Sequence, residues 1–274
     1  MRSRRASRSP IASAVVGLFL IGTLVPILYL FSVSLMGRGE TVSGILWSPD
    51  PSWSNWGDVL TASNIPGGVA RSLAAAIGGA LLSLALAVPG AWAIVRFRTG
   101  GATLGATLMS PWLLPPIVAV VPLLTLLRIL GLNNTLIGLT LVYALVNIPV
   151  AIWLLEGFIR AIPGEIEEAA TIDGAGTFRT LVSIVVPLVL PALVAVGIIV
   201  AILNYNEFLL ATFLTQSVDA QTFPVALSMF YGDRTPHFGK IAAASLIGVI
   251  PVFAVAVFLQ RWLIGGLTTG AVRG

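Results

Sequence analysis

Six stretches of this chain, roughly 11–35, 72–95, 104–127, 135–158, 186–212 and 241–264, run about twenty residues or more with almost no charge. A helix needs about 20 apolar residues to cross a hydrocarbon layer about 30 Å thick. Strands of a membrane barrel alternate apolar and polar residues, and these runs do not. Charged residues make up only 9% of the chain and hydrophobic ones 57%, whereas an average soluble domain is about 25% charged. Too little polar surface remains to cover a water-soluble globule, and the same balance excludes disorder. The sequence therefore predicts an all-α integral membrane protein with about six transmembrane helices.

Cysteine is absent and His237 is the single histidine. Disulfides, thiolate metal sites, cysteine nucleophiles and multi-histidine metal sites are excluded. The formal charge of +4 is read in a membrane chain as a topology signal rather than as nucleic-acid binding. With the N-terminus inside, Arg2, Arg4, Arg5, Arg8, Arg96, Arg98, Arg160, Arg179, Arg261 and Arg273 fall on the cytoplasmic side. Arg38, Arg71, Arg128, Arg234 and Lys240 fall outside. That excess predicts cytoplasmic N- and C-termini. The basic segment 1–10 followed by an apolar run imitates a signal peptide, but the run exceeds a typical apolar region of about 7–15 residues and no small-x-small site closes it. It is read as a retained first helix. The expected organisation is a basic terminus at 1–10, one membrane domain at 11–264 and a cytoplasmic tail at 265–274.

Two spans stand out. The third carries Pro111, Pro115, Pro116 and Pro122, which remove backbone donors and kink helices. The second places Gly78, Gly79, Ser83, Ala87 and Gly90 at spacings that suit close helix contact. In the first outer loop, Trp47, Trp53 and Trp56 read as interfacial anchors, and His237 reads as a surface residue.

The longest inner connection, 159–187, is also the densest in charge. Pro163 and Gly164 make a turn. Glu165, Glu167 and Glu168 then open a short helix, where carboxylates favour the positive end of the dipole. Ala169, Ala170 and Gly174 offer a low-profile surface, and residues four apart, such as Ala170 and Gly174, share one helix face. Such a helix suits docking into a groove on another protein; it also suits a solvated loop kept out of the membrane. The residues alone leave both readings open.

Glu168-Ala169-Ala170, followed by Gly174, Ile184 and Pro187, resembles the EAA loop of permease subunits of ABC importers, with Val186 where Leu is usual. The form Glu-Ala-Ala-x-x-Asp-Gly-Ala, ending in Asp173-Gly174-Ala175, resembles the carbohydrate-type permeases, in particular the six-span inner-membrane subunit of maltose-type importers. Further likeness lies in Arg96-Phe97-Arg98, in Asn134-Thr135 with Gly138-Leu139, and in Asn204-Tyr205-Asn206-Glu207-Phe208, where Tyr205 replaces the usual Trp. Thr222-Phe223-Pro224 and the C-terminal Gly266–Gly274 complete it.

The resemblance implies a type I ABC importer permease in the bacterial cytoplasmic (inner) membrane. It implies a second homologous permease, a dimeric ABC ATPase, an extracytoplasmic solute-binding protein and a sugar-like solute as partners, beside membrane lipid. Glu165, Glu168, Ala169, Ala170, Asp173, Gly174 and Ala175 would couple to the ATPase, and the tail, through Thr268, Thr269, Gly270 and Arg273, would reach it too. The chain carries no G-x-x-x-x-G-K-[ST] segment, so no phosphate-cradling loop is expected on it. No cofactor is expected on this chain, with ATP and Mg on the partner, and the chain itself is expected not to be an enzyme. Asn147, Asn204, Asn206 and Glu207 are intramembrane polar groups. They either line a solute path or bond helix to helix, with Asn204 and Glu207 expected on one face of the fifth span. Glu156 and Arg160 are expected to pair at i,i+4. An ion-coupled secondary transporter is the alternative function, compatible with proline-broken helices and Glu207, though the chain shows no convincing repeated half. A non-transporting scaffold is a third class, and it leaves the EAA segment and tail unexplained.

Overall fold

The computed structural model describes residues 10–231 and 236–269, and every regular element among them is helical. In chain order these are α1 (Pro10–Ser34), α2 (Ser54–Ala62), α3 (Ile65–Phe97), α4 (Gly101–Met109), α5 (Ile117–Ile129) and α6 (Leu136–Arg160). There follow α7 (Gly164–Ile172), α8 (Thr177–Thr180), α9 (Val186–Tyr205), α10 (Leu209–Leu214), α11 (Phe223–Ser228) and α12 (Phe238–Thr269).

Five of the expected spans appear as helices long and apolar enough to cross a membrane: in α1, α3, α6, the stretch Thr177–Tyr205 and α12. The third expected span is instead broken. Pro111 lacks the backbone donor that would continue α4, which ends at Met109; a 3-10 turn occupies Ser110–Leu113, and Pro115 and Pro116 delay the start of α5 to Ile117. Pro122 stays inside α5. The fifth run is also interrupted: α9 stops at Tyr205, and α10 resumes at Leu209. Just before α9, one turn of π-helix, Leu181–Val185, precedes Pro187, whose ring would otherwise crowd the carbonyl of Ser183 four residues back.

The chain forms two compact units. One comprises the chain up to Ile65 with Leu227–Val249, the other Pro66–Ala226 with the chain from Ile250 onward. In the first unit the start of the loop after α1 is held by Asn55, whose amide donates to the Ser34 and Met36 carbonyls at 3.0 and 2.9 Å. The Trp56 indole donates to Ser34 Oγ at 3.0 Å, so Trp56 ties the loop to α1, whereas Trp47 and Trp53 remain exposed. His237 accepts from Arg38 Nε at 2.6 Å, and Lys240 pairs with Asp58 at 2.8 Å. The large apolar side chains of α1 between Val15 and Leu28 are exposed, a surface suited to lipid rather than water.

The second unit holds two apolar cores. One joins α3, α6 and α9 through Trp92, Leu155, Ile159, Val185, Val196 and Val200. The other joins α5, α6 and α10 through Leu127, Leu139, Tyr143, Leu210 and Leu214. Small residues let the helices approach. A Cβ on Gly79 would lie 2.9 Å from Asn204 Nδ2 and 3.0 Å from Tyr143 Cβ. Buried Ser83, one turn further along α3, donates to the Ala144 carbonyl at 2.9 Å. Thr135 caps α6 by accepting from the Gly138 amide at 3.0 Å. Asn134, at φ +57°, accepts from the Gln216 and Ser217 amides at 2.7 and 3.0 Å.

Candidate functional site

The connection from α6 to α9 is built around α7. Its carboxylates Glu165 and Glu167 lie in the first turn, where the unsatisfied amides of a helix N-terminus favour negative charge. The C-terminal end closes by a glycine stop. Gly174 takes φ +82°, the Ala175 amide donates to the Ala170 carbonyl at 2.9 Å, and the Gly174 amide donates to the Thr171 carbonyl at 3.0 Å. This pair of bonds is the Schellman arrangement, which needs a left-handed residue just beyond the helix.

The expected low-profile face is divided by this geometry. Ala170 is buried and Ala169 exposed; Gly174 lies past the helix end, not on a face shared with Ala170. Glu165, Glu168 and Asp173 are exposed and Ala175 is half-buried. Exposed beside them are Ile172, at 86%, and Phe178, at 78%.

Glu167 behaves differently from its two neighbours. It is one of only two buried residues of α7, with Ala170 one turn on. One carboxylate oxygen accepts from the Trp92 indole N–H at 2.9 Å, and the other accepts from Arg96 Nε at 2.7 Å. Arg96 Nη2 donates in turn to the carbonyls of Ile159 and Ile162, at 3.2 and 2.7 Å, where α6 ends. A guanidinium there adds a charged donor to carbonyls at the negative end of the helix dipole. Three elements, α3, α6 and α7, thus meet on one part-buried ion pair. The sequence offered Arg96 as a topology charge and as part of the Arg96-Phe97-Arg98 likeness, and Glu167 only as one of three carboxylates. The two are 71 residues apart, and no local spacing rule links them.

The intramembrane polar residues form a second cluster. Asn147 and Asn204 are buried. Asn147 Nδ2 donates to Asn204 Oδ1 at 2.7 Å and to the Tyr143 carbonyl at 3.1 Å, and Asn204 Nδ2 donates to the Ala76 carbonyl at 3.1 Å. These bonds tie α3, α6 and α9 together. Asn147 Oδ1 is left without a donor among the described residues. Glu207 does not share a helix face with Asn204, because α9 ends before it. It accepts instead from the Leu210 and Ala211 amides, at 2.8 and 2.9 Å, and so caps α10. Asn206 is exposed and donates to the Ile202 carbonyl at 2.8 Å. Glu156 pairs with Arg160 at 3.0 Å as expected. Thr268 and Thr269 are the final residues of α12, with side chains outside the described set; Gly270 and Arg273 lie outside the described residues.

Comparison with known proteins places this geometry in a family setting. Residues 79–268 match the family described as the binding-protein-dependent transport system inner membrane component. The trehalose transport system permease protein of Mycobacterium tuberculosis is 33% identical, over 95% of this chain and 97% of its own. The melibiose/raffinose/stachyose import permease protein of Bacillus subtilis is 28% identical over the full length of both chains. A crystal structure of a bacterial ABC transporter involved in the import of the acidic polysaccharide alginate contains a chain of the same fold. Its TM-score is 0.72 at 24% identity, covering 92% of this chain and 94% of that one.

Proposed function

Because the chain belongs to the family of binding-protein-dependent transport system inner membrane components, we propose that it is one permease half of an ATP-driven importer for a sugar or sugar-like solute. The solute class rests on the sugars named in its full-length relatives. The partners are a second homologous permease, a dimeric ABC ATPase and an extracytoplasmic solute-binding protein.

The observation that carries the coupling assignment is α7 with its flanking loop. Exposed Ile172 and Phe178 lie in the same segment as exposed Glu165, Glu168 and Asp173. In this reading Ile172 and Phe178 seat in a groove of the ATPase, while Glu168 contacts a basic group on its rim. Ala169 permits close approach, and Gly174 sets where the helix stops. The tail from Thr268 to Arg273 reaches the same partner. Both termini are then cytoplasmic. ATP and Mg belong to the ATPase; this chain contributes movement, not hydrolysis. Closure of the ATPase dimer shifts α7, and the spans exchange between inward-open and outward-open states. Each nucleotide state must favour one of these states, since a partner with equal affinity for both shifts nothing.

A mild-detergent pull-down of the tagged chain from its native membrane tests the assembly. Recovery of a second permease, an ATPase and a solute-binding protein is expected. Recovery of this chain alone, under conditions where other membrane complexes survive, refutes the assignment. Uptake of labelled trehalose and raffinose into cells with and without the chain then tests the solute class.

A further inference from the structure

We propose that Glu167, Arg96 and Trp92 form a strut that fixes α7 rigidly to the ends of α3 and α6, and that this strut transmits movement of α7 into the membrane helices. The proposal rests on the coupling role of α7 given above and adds the residues through which force leaves it.

The argument begins with how little else holds α7. Of its nine residues only Glu167 and Ala170 are buried, and alanine offers a single methyl group. The remaining side chains point away. The carboxylate of Glu167 therefore carries most of the specific attachment. Both of its oxygens are engaged, one by an indole N–H and one by a guanidinium. The two donors sit one turn apart on the last turns of α3. Trp92 is itself buried in the core that includes Leu155, Ile159 and Ile162 of the α6 end, and its ring meets Phe97 edge-on at 5.2 Å. Arg96 spans from that carboxylate to the Ile159 carbonyl of α6 and the Ile162 carbonyl just beyond it. A planar guanidinium holding several acceptors resists rotation in a way that a single point charge does not. The side chains of the pair are 21% and 11% exposed, so water does not readily replace a broken bond. Displacement of α7 must either carry α3 and α6 along or leave a buried charge unpaired.

These residues are positioning residues, and the test reads position directly. The chain has no cysteine, so spin labels can be placed at Thr171→Cys on α7 and Leu145→Cys within α6. Pulsed distance measurements on the detergent-solubilised or membrane-embedded chain give the spread between them. A narrow distribution is expected, unchanged when the assembled complex receives ATP. Glu167→Gln keeps the shape but turns an amide N–H2 toward a donor, and it widens the distribution. Trp92→Phe keeps the ring in the core, removes one donor and widens it less; it also serves if Glu167→Gln fails to fold. Glu156→Gln, which breaks a pair internal to α6, leaves the spread unchanged. In the reconstituted complex, Glu167→Gln retains the ATPase but lowers stimulation of hydrolysis by the binding protein at least about fivefold, the low end of coupling free energies. A distribution as narrow in both variants as in the wild type overturns the strut, and undiminished stimulation overturns the transmission. If no ATPase accompanies even the wild type, the proposed function fails, while the spread measured on this chain alone still decides the strut.

Discussion

Substituting Gly174 separates two explanations of the same residue. If its smallness lets a partner approach, tolerance falls with side-chain size: Gly, then Ala, then Asn. If its left-handed backbone matters, the order of the last two reverses, because Asn tolerates φ near +60° better than Ala does. The structure favours the second order. Gly174 sits at φ +82°, and a Cβ built there meets nothing within 4 Å, so no clash inside this chain penalises the larger residue. Holding an alanine in the left-handed region costs about 1–2 kcal/mol. Two Schellman bonds, from the amides of Ala175 and Gly174, depend on that conformation. A penalty of that size reduces the closed helix end about 5- to 30-fold relative to frayed alternatives. The assay is hydrogen exchange across 164–180, read alongside ATPase recovery in a pull-down of each variant. Faster exchange at Gly174 and Ala175 is expected for Gly174→Ala than for Gly174→Asn, with ATPase recovery following the same order. Better protection and recovery in the alanine variant would refute the backbone argument and restore the size argument.

Three further outcomes are expected. Gly79→Ala, whose added methyl meets Asn204 Nδ2 and Tyr143 Cβ at 2.9 and 3.0 Å, destabilises by about 1–3 kcal/mol. Gly22→Ala, with nothing within 4 Å, does not, and thermal denaturation followed by size-exclusion chromatography distinguishes them. A double-mutant cycle of Asn147→Leu and Asn204→Leu returns a coupling of about 0.6 kcal/mol and no more than about 1.7 kcal/mol in a reversible membrane-unfolding assay, reflecting their 2.7 Å bond. Glu207→Ala removes the cap of α10 and costs about 1 kcal/mol, seen as faster amide exchange at Leu210 and Ala211; unchanged exchange there would remove the capping role.

The membrane class and most span positions were legible because hydrophobic runs are a local property. Pro10–Ser34, Leu136–Arg160 and the Glu156–Arg160 pair all follow from residues near in sequence. What escaped needed either backbone geometry or distant partners. The four prolines of the third run signalled distortion, but whether a proline bends a helix or ends it depends on the surrounding bonds: Pro122 stays inside α5 while Pro115 and Pro116 sit in the break. Asn204 and Glu207 have helical spacing, yet α9 stops between them, and the Glu207 carboxylate serves the first amides of α10. Helical periodicity also put Ala170 and Gly174 on one face, whereas a positive φ places the glycine beyond the helix. Glu165, Glu167 and Glu168 look alike in sequence; only the fold brings Arg96 and Trp92 to one of them.

The contacts of Arg96 also bear on parity. Two helices whose C-terminal ends meet cross a bilayer in the same sense. Arg96 belongs to the last turn of α3, and it binds carbonyls at the end of α6. The chain leaving α3 must therefore return to the opposite side before α6 begins at Leu136. Only α4 and α5 lie between, with nine and 13 residues. At about 1.5 Å per residue they span roughly 14 and 20 Å, neither enough for a hydrocarbon layer about 30 Å thick. Together with the proline break they are long enough. One half-buried arginine thus points to a return passage that no single helix makes, beside the five helices long and apolar enough to cross.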